Sequence, residues 1–126
     1  MIVGAAVVEL HVHGSRSLKE KRGVVRSIVQ RIRNRFNVSA SEVGGQGTWQ
    51  RAVIGIVTVG HEARAVRAAL DHVVEFVEGV GLAELTNSDI EILTLEHGDP
   101  SSSSDDDEEA SSDDEADEDD SEEDAP

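Results

Sequence analysis

Two stretches of helical periodicity, each framed by strand-like runs, constrain this chain more than any other feature. Residues 2–13 are rich in Val and Ala and close on an alternation, Val8-Glu9-Leu10-His11-Val12-His13, which Gly14 ends. Alternation of that kind sends successive side chains to opposite faces of a strand. Ser17 and Glu20 then form an S-x-x-E capping box. The Ser hydroxyl accepts from the backbone N–H three residues on, and the Glu reaches back. The spacing predicts a helix from there to about Phe36, about 28 Å long at 1.5 Å per residue. Leu18, Val25, Val29, Ile32 and Phe36 share one stripe of it, with Ile28 beside them.

The second half repeats the scheme. Asn37 to Val43 alternates weakly and is rich in Ser, as an edge strand is, and Gly44-Gly45-Gln46-Gly47 forms a turn. Ala52 to Val59 is apolar and β-branched, which suits a central strand. Glu62 to Glu78 returns to helical spacing, with Val66, Ala69, Leu70, Val73 and Val77 on one face and Gly79 expected as the residue that ends the helix. A last strand falls within 82–97, clearest at Ile90-Glu91-Ile92-Leu93. The order βαββαβ predicts an α+β, ferredoxin-like domain: a four-stranded antiparallel sheet, strand order 4-1-3-2, with two helices on one face. That order makes the first and third strands central, and they are the two most apolar.

Charge divides the chain at residue 98. The formal net charge is −16, and residues 99–126 hold sixteen of the 27 acids and no base. Residues 1–98 are therefore neutral and form the folded domain, while 99–126 is expected to be a disordered acidic Ser/Asp/Glu tail, too poor in apolar side chains to offset its ordering entropy. The tail has two readings: it keeps the protein soluble, or it competes with a polyanion for a basic surface. With no Cys there is no disulfide framework and no thiolate metal site. The apolar N-terminal run is too short to span a bilayer and lacks a basic flank, so the expected location is cytoplasmic, with no membrane partner.

Specific residues carry a resemblance. Ser17-Leu18-Lys19-Glu20-Lys21-Arg22, the run Arg33 to Val43 (RNRFNVSASEV) and Trp49-Gln50-Arg51-Ala52, at these spacings, resemble the YlxP-like family of small bacterial proteins of unknown function. The resemblance covers roughly residues 2–97. It implies a ferredoxin-like fold and a genomic setting among genes for translation initiation and ribosome maturation, and no established activity. Two features depart from it: the turn before Trp49 reads GGQGT, where related sequences often carry an acid, and the acidic tail lies outside the family pattern.

Eight of the eleven bases fall between residues 16 and 35, with Glu20 the only acid among them. With Leu18 at 0° and 100° per residue, Arg22, Arg33, Arg26 and Lys19 lie at about 40°, 60°, 80° and 100°. This stripe flanks the apolar face, and Lys21, Arg31 and Arg35 are expected on the opposite flank. A rod with such stripes can follow a phosphate backbone. The competing reading has the bases snorkelling around the apolar face, their stems covering the sheet, which suits Arg22 and Lys21 best. Trp49 beside Arg51 either stacks on an unpaired base or pins the hairpin to the body.

Glu9, His11 and His13 alternate onto one face of the first strand, as part of a metal site would. Nothing elsewhere in the sequence completes that site, so neither a metal nor another cofactor is expected. The same face carries Val3, Ala5 and Val7, and without helices over it a homodimer through the open sheet face would cover them. No nucleophile–base pair stands out. The function expected from these residues is non-enzymatic contact with RNA or a ribosomal particle, through Lys19, Lys21, Arg22, Arg26, Arg33 and Arg35, with Trp49 and Arg51 as a secondary contact. The alternative is a homo-oligomeric interaction module whose basic helix docks an acidic protein.

Overall fold

The computed structural model describes residues 1–96. The elements run β1 (Ile2–His11), α1 (Leu18–Arg35), β2 (Ser39–Gly44), β3 (Arg51–Gly60), α2 (Ala63–Gly79) and β4 (Glu84–Thr94). All pairings are antiparallel and the sheet order is β2-β3-β1-β4, the order expected from the sequence. The segment 99–126, read as an acidic tail, lies outside the described residues.

β1 pairs along its whole length with β3 on one side and β4 on the other. Its even-numbered side chains, Ala6, Val8 and Leu10, are buried beneath the helices together with Ala40, Ala52, Ile54 and Ile56. Val25, Ile28, Val29 and Ile32 of α1 and Val66, Leu70, Val73 and Val77 of α2 close the core from above. Gly4 lets α2 approach: a β-carbon there would lie 2.5 Å from Val66 Cγ1 and 2.7 Å from Leu70 Cδ1. Phe36 and Phe76 meet edge-to-face at 5.5 Å, one at the end of α1 and the other on α2.

The cap of α1 forms as the sequence predicts. Ser17 Oγ accepts from the Glu20 N–H at 3.1 Å, and the Glu20 carboxylate accepts from the Arg16 N–H at 2.8 Å. The end of α2 differs. Gly79 is the last helical residue, the helix is capped by Val80, and the positive φ needed for the reversal belongs to Gly81.

Two irregularities in the ladder decide on which face nearby side chains emerge. On β2 the register shifts between Glu42 and Gly44, so that Val43 is the extra residue and Glu42 points to the helix side opposite Ile54. Against β1 the register shifts so that Glu9 faces Asn87 but Leu10 faces Leu85, leaving Thr86 as the extra residue of β4. The Thr86 hydroxyl donates to the Glu9 carbonyl at 3.1 Å. A bulge re-aims every side chain beyond it. Here it turns Leu85 toward the core and Glu84 onto the open face, opposite His11.

Candidate functional site

The bases of α1 separate into distinct populations. Lys21, expected among the phosphate contacts, is a correction: it is 1% exposed. Its ammonium donates to the Gly45 carbonyl at 2.6 Å and the Arg51 carbonyl at 3.1 Å, and lies 3.5 Å from the Glu42 carboxylate. The apolar stripe of α1 is centred on Val25, Ile28 and Ile32, and Lys21 lies within it, not on the flank opposite the basic stripe. The two backbone carbonyls stand at either end of the hairpin connection that joins β2 to β3. Lys21 therefore clamps that hairpin to the first turns of α1, and it is the counter-charge for Glu42, whose buried Oε2 accepts no hydrogen bond among the described residues.

Arg33 and Arg35 are exposed but partly engaged. Both the Nε and an Nη of Arg33 donate to the Ala40 carbonyl, at 3.1 and 2.7 Å, which ties the helix to the edge strand. The Arg35 guanidinium sits 5.2 Å above the Phe76 ring, a cation–π contact. Arg51 ion-pairs with Glu9 on the opposite side of the sheet from α1.

Arg31, on the other flank, is exposed and donates from Nε to Ser27 Oγ at 3.3 Å, which leaves Lys19, Arg22 and Arg26 on the basic stripe. All three are exposed, and among the described residues none has an acidic partner within ion-pairing distance. The one acid of this stretch, Glu20, is held by the helix cap. Over residues 19–26 the stripe spans about 10 Å of helix. Arg22 shares a small cleft with Gln46 and Gly47, so the stripe meets the Gly-rich turn that leads to Trp49. Trp49 is 54% exposed, well short of the burial a pinning residue would show. Lys19 also borders an open groove of about 630 Å³ with an apolar floor of Val12, Val24 and Leu82.

On the open face, Val7, Val43, Val57, Val59 and Leu93 are each between 43% and 59% exposed. The expectation that Val3, Ala5 and Val7 lie on the side without helices holds. At one end of this face three metal-ligating side chains gather: His11, His13 and Glu84, with one donor atom from each within 4.8 Å of the others. Glu9 faces the same way but is engaged by Arg51. The carboxylate that completes the His-x-His pair comes from β4, seventy-odd residues away, and only the bulge at Thr86 puts it there.

Fold and site together define a small ferredoxin-like domain with a clamped hairpin, an exposed basic helix flank and an uncovered sheet. Comparison with known proteins places it more narrowly. Residues 3–90 match the family described as Protein of unknown function (DUF503). Over 85 residues the chain is 39% identical to the uncharacterized protein YlxP of Bacillus subtilis strain 168, covering 68% of this chain and 92% of that protein. The chain belongs to this family, as the motifs around Ser17, Arg33 and Trp49 indicate.

Similar solved structures include the cofactor-independent oxygenase SnoaB from Streptomyces nogalater, at TM-score 0.44 and 16% identity over 79% of this chain and 99% of that one. Another is acylphosphatase from Bacillus subtilis, at TM-score 0.41 and 17% identity over 78% and 91%. A shared chain path does not fix an activity. Among the described residues no helix is long and apolar enough to cross a membrane.

Proposed function

We propose that the exposed flank of α1 binds the phosphate backbone of structured RNA, on the ribosome or its assembly intermediates, without catalysing a reaction. The observation that carries this reading is the set Lys19, Arg22 and Arg26: three cations on one flank, with no acidic partner among the described residues and Glu20 held in the helix cap. Cations left without acidic partners bind polyanions by displacing condensed counterions. Arg33 and Arg35 extend the same helix at its far end, each retaining exposed surface. Trp49, two residues beyond the Gly47 that lines the Arg22 cleft, offers an exposed ring for an unpaired base. The translation setting comes from the family resemblance, and the RNA contact from the charge geometry.

Fluorescence anisotropy of labelled ribosomal RNA fragments with the full chain tests it. Lys19→Glu/Arg22→Glu/Arg26→Glu should weaken binding at 50 mM salt by at least about tenfold. Circular dichroism should be unchanged, because all three side chains are exposed. Equal binding by the two proteins contradicts the reading and redirects the basic helix toward an acidic protein partner.

The open sheet favours a second, compatible reading in which two copies associate. Its centre is aliphatic and carries no base, which suits a matching surface better than a nucleic acid. Light scattering should give a dimer for the full chain and a monomer for Val57→Lys. A monomeric wild type at high protein concentration contradicts it.

A further inference from the structure

The geometry points to a zinc site formed by His11, His13 and Glu84. His13 Nε2 lies 2.6 Å from Glu84 Oε1, and His11 Nδ1 lies 4.0 Å from the same oxygen. The two imidazoles stand edge-to-face with centroids 4.1 Å apart. In a tetrahedral zinc site with bonds of about 2.0–2.2 Å, neighbouring donor atoms are separated by about 3.3–3.6 Å. The two separations bracket that value and the third lies within 4.8 Å, so side-chain shifts of about 1–1.5 Å bring the donors onto one ion. The side chains are 37%, 64% and 58% exposed, which leaves room for those rotations and for water at the fourth position.

The surroundings of His11 supply an independent reason. The Gln50 amide nitrogen donates to the Ser15 carbonyl at 3.3 Å, an acceptor that fixes which end of the amide points there. Gln50 Oε1 therefore faces His11 Nε2, at 3.4 Å. A carbonyl oxygen accepts, so Nε2 is the nitrogen placed to donate to Gln50, and Nδ1 is the nitrogen on the Glu84 side. Nδ1 is then the His11 nitrogen available to a cation shared with Glu84, whose Oε1 is also in hydrogen-bond contact with His13 Nε2 at 2.6 Å. A ligating His that donates its other N–H to a carbonyl is the usual outer-shell arrangement around zinc.

The ladder itself is arranged for this constellation. His11 and His13 share a face because they are two apart on one strand. Without the bulge at Thr86, Leu85 instead of Glu84 would stand opposite His11. Two imidazoles with one carboxylate select zinc or a similar transition ion over magnesium, which prefers all-oxygen coordination.

Isothermal titration of the metal-free full chain with Zn²⁺ tests the assignment. The sequence contains 27 acids that can bind any divalent ion weakly, so His11→Ala/His13→Ala and a parallel Mg²⁺ titration serve as references. The wild type should bind one Zn²⁺ at least about 100-fold more tightly than the double variant, and Gln50→Leu should lose about tenfold. Mg²⁺ should bind wild type and variant alike. Co²⁺ should give the visible bands of a tetrahedral nitrogen–oxygen site in the wild type only. Superimposable Zn²⁺ isotherms for wild type and double variant, or Co²⁺ bands that persist without the two histidines, overturn the assignment.

Discussion

Lys21→Met lowers the unfolding free energy by about 3 kcal/mol, because the stem keeps its packing while the Glu42 carboxylate loses its only counter-charge among the described residues. The value belongs near the low end for a broken buried pair, since the Glu42 side chain retains 22% exposure. The Gly45 and Arg51 carbonyls lose the Lys21 donor as well, the Gly45 carbonyl keeping that of the Thr48 N–H. Replacing both charged partners, as in Lys21→Met/Glu42→Leu, should recover a good part of the loss, because no uncompensated charge then remains buried. Urea unfolding followed by circular dichroism measures all three proteins. A single variant within about 0.5 kcal/mol of wild type would show that the clamp contributes nothing to stability.

The second large effect falls on the other side of the same clamp. Gly45 has φ +84°, and a β-carbon there would sit 2.5 Å from the Arg51 carbonyl oxygen and 2.9 Å from Ala52 Cα. Both are backbone atoms of β3, which cannot swing aside as a side chain can. Gly45→Ala should therefore cost about 2–4 kcal/mol, the left-handed conformation and the clash together. Gly47, at φ +87° with open space around its Cα, provides the comparison. Gly47→Ala meets only the conformational penalty, about 1 kcal/mol. Equal losses at the two positions would contradict the account of the hairpin. Gly45→Ala and Lys21→Met should also be less than additive, since each loosens the same carbonyl–ammonium contact.

These residues explain why the fold was legible while parts of the site were not. The two central strands and the two helices announce themselves by apolar content and period, and the strand order follows from the βαββαβ sequence of elements, with the apolar content of the first and third strands as a check. Lys21 was also legible in principle. At 100° per residue it falls at about 300°, between Ile28 at about 280° and Ile32 at about 320°. A charge in that position reads as a flank residue until its partner is known, and Glu42 stands in a weakly alternating edge strand. Glu84 was hidden for a different reason. The bulge at Thr86 breaks the alternation of residues 84–89, so the face on which its carboxylate emerges cannot be counted from Ile90. The role of Gln50 depends on its contacts with Ser15 and His11, thirty-five and thirty-nine residues distant, which no local pattern encodes.

The motifs that carry the family resemblance take on physical content here. Ser17 and Glu20 cap α1, Lys21 and Glu42 pair in the interior, Arg33 ties the helix to Ala40, and Gln50 bridges Ser15 to His11. Most of these polar residues hold the hairpin and the basic helix in a fixed relation. Lys19, Arg22 and Arg26 face outward together on one flank of that helix, which is why the proposed function rests on them.

The salt dependence of RNA binding tests that proposal most directly. For the full chain, log K should fall linearly with log salt. Its slope should be steeper by about 2 to 3 than that of Lys19→Glu/Arg22→Glu/Arg26→Glu, the difference three phosphate contacts make. Equal slopes for the two proteins, or no binding by the wild type at low salt, would contradict the assignment of this helix flank to RNA.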